Sequence, residues 1–271
     1  MNRKTVNGKQ RQRLAGGILL LAMVFAAVFA PWLAPADPLK PDLAMCLAPP
    51  SGCHLLGTDQ LGRCVFSRVM HGTRTSLGGA LTASLLALLM GAGMGITAAL
   101  GPKWLKLPVT ALIDMALALP GLILALVIAG LLGASMQSLV IGLALAGWPW
   151  WARFVRSLTL SAWEKEFVLA GRVGGVRWGR LLLRYILPQM QAPMLAAATL
   201  KTGWIILAFS GLSYLGLGPP PPSPEWGSML QEAGIYMTRA PWMMLAPGAA
   251  ITVAVLALNL LGEGLEGSGS P

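Results

Sequence analysis

Few side chains in this sequence are suited to chemistry. Its 271 residues include two histidines, three cysteines and ten carboxylates. His54 and His71 both fall near one membrane boundary, and no Ser/His/Asp or Cys/His constellation forms around them, so catalysis has few candidates. No GxxxxGK[ST] stretch occurs, so the chain has no phosphate-cradling loop of its own. No CxxC or His-rich cluster suggests a zinc site, and no residue is assigned to a metal. The chain therefore reads as a non-enzyme subunit that binds no cofactor itself.

Two charged residues stand inside long apolar runs, Asp114 and Lys201. Each costs about 2.5 to 3.5 kcal/mol at the centre of a membrane helix, so both are expected to face protein. At 1.5 Å per residue they lie at similar depth, about 10 and 15 Å from one end of their spans. The favoured expectation is that they pair, since an unpaired buried ammonium is expensive. The rival is that Lys201 lines a pathway and meets an anionic group of a cargo. A third reading makes the two the coupling groups of an ion-driven carrier or channel.

A further stretch, EFVLAGRVGGVRWGRLLLRYILP (166 to 188), has four arginines and four glycines between two apolar runs. Residues 162 to 174 read as a short helix broken at Gly174-Gly175, and 176 to 187 as a second that ends before Pro188. Arg177, Arg180 and Arg184 recur at i, i+3 and i+7, on one face of that second helix, with Leu181, Leu182, Tyr185 and Ile186 covering much of the rest. A helix too short to span either lies in the headgroup layer or docks in a partner's groove.

These residues must be held by membrane-spanning elements. Hydrophobic residues make up 55% of the chain and charged ones 11%, and mean hydropathy is +0.67, outside the usual soluble range. The expected class is an all-α membrane protein. Six runs are long enough to cross about 30 Å of hydrocarbon: about 14 to 34, 76 to 100, 107 to 132, 138 to 160, 191 to 215 and 243 to 262. Their lack of alternation excludes barrel strands. The first run, after the basic MNRKTVNGKQRQR, is longer than a signal-peptide core and reads as an uncleaved span, with a signal peptide as the alternative.

Six spans with the N terminus inside put fourteen Lys and Arg in the cytosol and five outside, with Lys201 within a span. Both termini are thus expected to be cytosolic, with 1 to 13 a cytosolic tail, 35 to 74 and 216 to 242 outer loops and 162 to 188 a cytosolic loop within a single domain, 1 to 271. The net charge of +10 then implies anionic membrane lipids and cytosolic partners, with no nucleic acid needed. Of the cysteines, Cys46 and Cys53 can close a short disulfide loop, leaving Cys64 over; three free thiols are an equal alternative. PPPPSPEW (219 to 226) is expected to be stiff and extended. Trp148, Trp150, Trp151 and Trp204 suit helix packing or an interfacial belt before cargo stacking, and Met229, Met237, Met243 and Met244 suit packing before soft-metal contact.

The 166 to 188 stretch resembles the cytosolic signature of the permeases of binding-protein-dependent ABC importers: EAA, three residues, Gly, nine residues, Ile, one residue, Leu-Pro. Leu169-Ala170-Gly171, Gly175, Tyr185 and Leu187-Pro188 fall at those spacings, and Glu166 also looks like a family position. Leu169 replaces the glutamate, Gly171 the second alanine and Tyr185 the isoleucine. HLLGTDQLGRCVFSR (54 to 68), with Cys64 at a usual aspartate, together with LSYLGLGPPPPSPEWGSML (212 to 230) and APGAAITVAVLALNLLGEGL (246 to 265), is similar to the C-type subunits of the dipeptide, oligopeptide and nickel importers.

The resemblance implies a heterodimer with a B-type permease, two ATP-binding subunits that carry ATP and magnesium, a periplasmic or lipid-anchored substrate-binding protein, and a bacterial inner-membrane location. It implies that Glu166, Leu169, Ala170, Gly171, Gly174, Gly175, Arg177, Arg180, Arg184, Leu187 and Pro188 form an ATPase-coupling helix pair between spans four and five. Gly57, Thr58, Asp59, Gly62, Arg63, Glu225 and Trp226 become outer-loop or path candidates. ARFVRSL (152 to 158) and EFVLAGRVGG (166 to 175) look closer to nickel-type members, so a metal chelate is the expected cargo, with peptides as the alternative.

Overall fold

Runs that are apolar on all sides leave no solvated face, and backbone groups in hydrocarbon must be satisfied within the segment, so such runs fold as helices. A computed structural model describes residues 3–266; the ends of the expected 1 to 271 domain, Met1, Asn2 and 267 to 271, lie outside the described residues. The α-helices are α1 (Arg3–Leu33), α2 (Val65–Leu100), α3 (Lys103–Leu117), α4 (Gly121–Leu132), α5 (Met136–Trp163), α6 (Glu166–Val173), α7 (Trp178–Leu181), α8 (Leu187–Leu212), α9 (Trp226–Ala233) and α10 (Trp242–Glu266). Among the described residues the sole β feature is an isolated bridge between Thr58 and Cys64.

Five stretches are long and apolar enough to span a membrane: 8 to 33, 65 to 100, 136 to 163, 178 to 217 and 242 to 265. The expected third span, 107 to 132, is not one rod. α3 and α4 meet at 89°, so the count reaches six only if that bent pair is one span. Pro120 causes the break: it has no N–H to donate and disfavours helical geometry at Leu119, and the chain turns extended at Pro120 (φ −61°, ψ 116°) before α4 begins.

Two boundaries also move. The expected outer loop 35 to 74 ends at Cys64, because α2 starts at Val65. The second short helix does not end before Pro188. α7 passes through a π-helical turn, Leu182–Ile186, directly into α8, and 178 to 217 is a single run. The wider π turn makes room for the ring of Pro188, which in a regular helix meets the carbonyl of residue 184. The proline at the start of α8 therefore displaces the register without ending the helix.

Packing relies on small residues that let helix backbones approach, as expected where lipid removes the hydrophobic drive between helices. α2 lies along α5, α1 along α10, and α8 along α10. A Cβ on Gly91 of α2 would sit 2.3 Å from the Cβ of Trp151 in α5. Ser84 of α2 and Thr202 of α8 share a buried hydrogen bond of 2.8 Å. The main core joins Leu77, Leu139, Leu143, Ile206, Phe209 and Leu212.

Candidate functional site

Three groups of residues concern function: the helix pair at one end of the bundle, a polar cap at the other, and a charged groove between.

At the first end, α5 stops at Trp163 and α6 runs from Glu166, whose carboxylate sits in the first turn where a helix N-terminus favours an anion. α6 ends in a Schellman turn: Val176 N–H donates to Gly171 O (3.0 Å) and Gly175 N–H to Arg172 O (3.1 Å). Of the glycine pair only Gly175 is left-handed, at φ 73°, and a Cβ there would meet nothing within 4 Å. The corner needs glycine for its backbone angle, not to avoid a clash.

Val168 is fully buried in a cluster with Val155, Ala162, Ile186 and Met190, tying α6 to α5 and α8. A Cβ on Gly171 would meet Leu181 at 2.9 Å, so α6 and α7 are in close contact. Phe167 stacks on Tyr185, with ring centroids 6.4 Å apart, and the Arg172 guanidinium lies 4.5 Å over the Trp163 ring.

Glu166, Leu169, Ala170, Gly174, Arg177, Arg180, Arg184 and Pro188 are exposed, whereas Leu187 is half-buried. The three arginines do not share one regular α-helix: Arg177 precedes α7, Arg180 lies in it, and Arg184 lies within the π turn. What shows outward is mixed, with the arginines among exposed Phe167, Leu169, Val173, Trp178 and Leu183.

At the other end, Asp59 organises the 35 to 64 loop. Its Oδ2 accepts from Arg63 Nε (2.6 Å) and Arg68 Nη1 (2.6 Å), and its Oδ1 accepts from the N–H groups of Leu61 (2.8 Å) and Arg63 (2.9 Å). Glu232 of α9 closes the network, accepting from Arg63 Nη2 (3.0 Å), Arg68 Nη1 (2.7 Å) and Gln60 (3.0 Å). Burial by itself raises the Glu232 carboxyl, but the hydrogen bond and charge of Arg68, with Gln60 and Arg63, outweigh it and hold the group below its ordinary value.

Gly57 and Gly62 have φ of 69° and 73°, and a Cβ on Gly62 would fall 1.7 Å from Asp42 O. Thr58, Asp59 and Arg63 are buried. Thr58 accepts from Ala48 N–H (2.8 Å), and its carbonyl accepts from Trp242 Nε1 (3.0 Å). These residues build the cap and present almost no surface of their own.

Glu225 and Trp226 are both fully buried. The Glu225 carboxylate caps α9, accepting from Gly227 N–H (2.9 Å) and Ser228 N–H (2.8 Å), from Ser76 Oγ of α2 (3.0 Å) and from Ser213 Oγ. A buried carboxylate without a cation is tolerable only with such a full set of donors. Trp226 Nε1 donates to Val69 O (3.2 Å). PPPPSPEW is not extended throughout, since the chain turns at Pro221-Pro222. Cys46 and Cys53 are exposed and unbridged and Cys64 is buried, so the disulfide is not formed. Met229 and Met243 are buried in packing, and among the described residues no group of three or more His, Cys, Asp and Glu could hold a metal ion.

The expected Asp114–Lys201 pair is absent. Asp114 pairs with Arg153 of α5 at 2.8 Å, on an open face. Lys201 Nζ lies 3.9 Å over the Trp150 ring and 5.9 Å from that of Trp204, on the wall of a groove of about 740 Å³ between α5 and α8. Trp150 of α5 and Trp204 of α8 thus frame the lysine. Depth alone suggested the pair; which helix face each charge takes was decided by packing.

Sequence reasoning missed Arg68, Glu232 and Gln60 as members of the cap. The only signal was the arginine closing GRCVFSR and an acid on the short helix 226 to 233, each of which reads locally as a solvated charge.

Comparison with known proteins agrees with this architecture. Residues 91–267 match the family described as binding-protein-dependent transport system inner membrane component, and residues 9–50 match the N-terminal TM domain of oligopeptide transport permease C. The di/tripeptide transport system permease protein DppC of Pseudomonas aeruginosa is 39% identical, covering 95% of this chain and 87% of its own length. The dipeptide transport system permease protein DppC of Alkalihalophilus pseudofirmus is 35% identical over 97% of this chain and 86% of its own. Inward-facing structures of the MetNI methionine ABC transporter share the fold, with a TM-score of 0.63 at 16% identity over 76% of this chain and 98% of theirs. The relatives are transport subunits, so ATP hydrolysis belongs to separate subunits and the chain is not itself an enzyme. It belongs to the multi-pass inner-membrane permeases of bacterial binding-protein-dependent ABC importers, in the dipeptide and oligopeptide group, and matches that group's C-type subunits.

Proposed function

We propose that this chain is one of the two permease halves of an ATP-driven importer of di- and tripeptides, paired with a B-type permease. A binding protein delivers cargo to the cap end. Two ATP-binding subunits, holding ATP and magnesium, seat against residues 166 to 188. The observation that carries the cargo is the 39% identity, over nearly the whole chain, to a permease named for di- and tripeptides. It favours peptides over the expected nickel chelate, a preference that rested on two short stretches. The match of residues 91–267 to the binding-protein-dependent permeases counts against an ion-coupled carrier that uses Asp114 and Lys201.

The geometry supports a lever. α7 continues through the π turn into α8, so load on the exposed helix pair enters a span directly, and the Val168 cluster makes α6 follow. Closure of the ATP-binding subunits then biases two arrangements of the spans only if these helices move with them. The lysine and arginine asymmetry of the sequence supports a cytosolic position for this end.

The test is uptake by the complete importer in vesicles supplied with its binding protein and Mg-ATP. Radiolabelled dialanine should accumulate in an ATP-dependent way, unaffected by excess nickel-histidine. Accumulation of nickel-histidine without dialanine would overturn the cargo reading.

A further inference from the structure

The Lys201 groove has a composition the rest of the fold does not explain. Its wall carries two cations, Lys201 near mid-span and Lys165 at the mouth, where Lys165 Nζ donates to Gln189 (3.3 Å), and among the described residues no acidic side chain lines it. Trp150 and Phe154, one helical turn apart and stacked at 5.1 Å, form an apolar wall beside the ammonium. The described residues give Lys201 two tryptophan rings and no carboxylate. Tryptophan faces attract an ammonium while leaving its N–H donors free for an incoming oxygen.

Resting on the peptide reading above, we infer that Lys201, framed by Trp150 and Trp204, binds the C-terminal carboxylate of a peptide in transit, while the Trp150–Phe154 wall takes an adjoining side chain. The groove's volume, about 740 Å³, falls within the range of small-ligand pockets, roughly 300 to 1,000 Å³, and exceeds what one partner side chain would fill. Lys201 is twelve residues beyond Gln189 at the mouth, about 18 Å along the helix, and phospholipid headgroups lie about 15 Å from the bilayer midplane. A headgroup at the mouth therefore does not reach the ammonium. A carboxylate crossing this depth loses its hydration, and a fixed ammonium replaces part of it. Lys201 thereby becomes a specificity-determining residue for free peptide acids.

The experiment uses the assembled importer in phosphatidylcholine nanodiscs, nucleotide-free and without binding protein. Binding of radiolabelled dialanine and of dialanine amide is measured by equilibrium dialysis. Wild type should bind the acid about tenfold or more tightly than the amide, K201M should bind the two equally, and K201R should retain the preference. In vesicles, K201M should lower the turnover of dialanine uptake about tenfold and leave KM, set by the binding protein, unchanged. No acid preference in wild type, or one that survives K201M, would overturn the inference. So would loss of permease pairing in K201M, which would assign the ammonium to a partner carboxylate, or loss of dialanine binding on adding phosphatidylglycerol, which would assign it to lipid. Wild-type uptake of dialanine with no effect of K201M would sink this inference alone, whereas no dialanine uptake by wild type would sink the peptide reading with it.

Discussion

Asp59→Ala should open the cap, and the size of the effect follows from the contacts removed. The Asp59 side chain is 2% exposed and its Oδ2 accepts from both Arg63 and Arg68. Its loss strands two buried guanidinium groups on a single carboxylate, Glu232, and releases two backbone donors, Leu61 and Arg63. Removing one partner from a buried ion pair costs about 3 to 5 kcal/mol, and about 1.36 kcal/mol is tenfold in an equilibrium. The open population of the loop should therefore rise by about two orders of magnitude or more. Cys64 reports this directly: it is buried at 2% exposure and bridged to Thr58. With exposed Cys46 and Cys53 changed to serine, maleimide labelling of Cys64 should be slow in the parent and about a hundredfold faster in the Asp59→Ala variant. Labelling rates within threefold of each other would refute the claim that the network holds the cap closed.

Gly175→Val should lower transport-coupled ATPase activity while membrane insertion is unchanged, since a non-glycine residue at φ 73° costs about 1 to 2 kcal/mol with no clash to relieve; unaltered coupling would contradict the lever. Glu232 titrates below its ordinary value of 4.5, so its contribution is present above pH 4.5 and is lost as the pH falls below that through the folded value. The melting temperature of the solubilised importer should drop with acidification in that window, and Glu232→Gln should flatten the dependence. Gly91→Val places a Cβ 2.3 Å from that of Trp151, and overpacking of this kind costs about 1 to 3 kcal/mol. It should lower the thermal midpoint of the assembled complex, measured by tryptophan fluorescence.

Sequence showed the spans because membrane crossing depends on a one-dimensional quantity, about twenty apolar residues in a row. It also showed the corner at Gly174-Gly175, where a local backbone rule acts. The 89° break between α3 and α4 had a visible signal, Pro120-Gly121, hidden inside a run whose average hydropathy is high. Pro188 misled in the opposite way: proline normally stops a helix, yet a π turn absorbed it. The cap network and the company of Lys201 could not be read from spacing. Arg68 and Glu232 are 164 positions apart, and Trp150 lies on a different helix from Lys201, so only packing of whole helices brings them together.

The central claim, that the 166 to 188 helices are where an ATP-binding subunit drives this bundle, is tested most directly by site-specific cross-linking. Val173, 83% exposed at the end of α6, is changed to cysteine in a chain whose three native cysteines are serine, and the assembled importer is treated with a short thiol-to-amine cross-linker. The account expects a covalent product with the ATP-binding subunit whose yield changes when ATP is bound. A product with lipid or solvent quencher only, and none with that subunit in any nucleotide state, would contradict it.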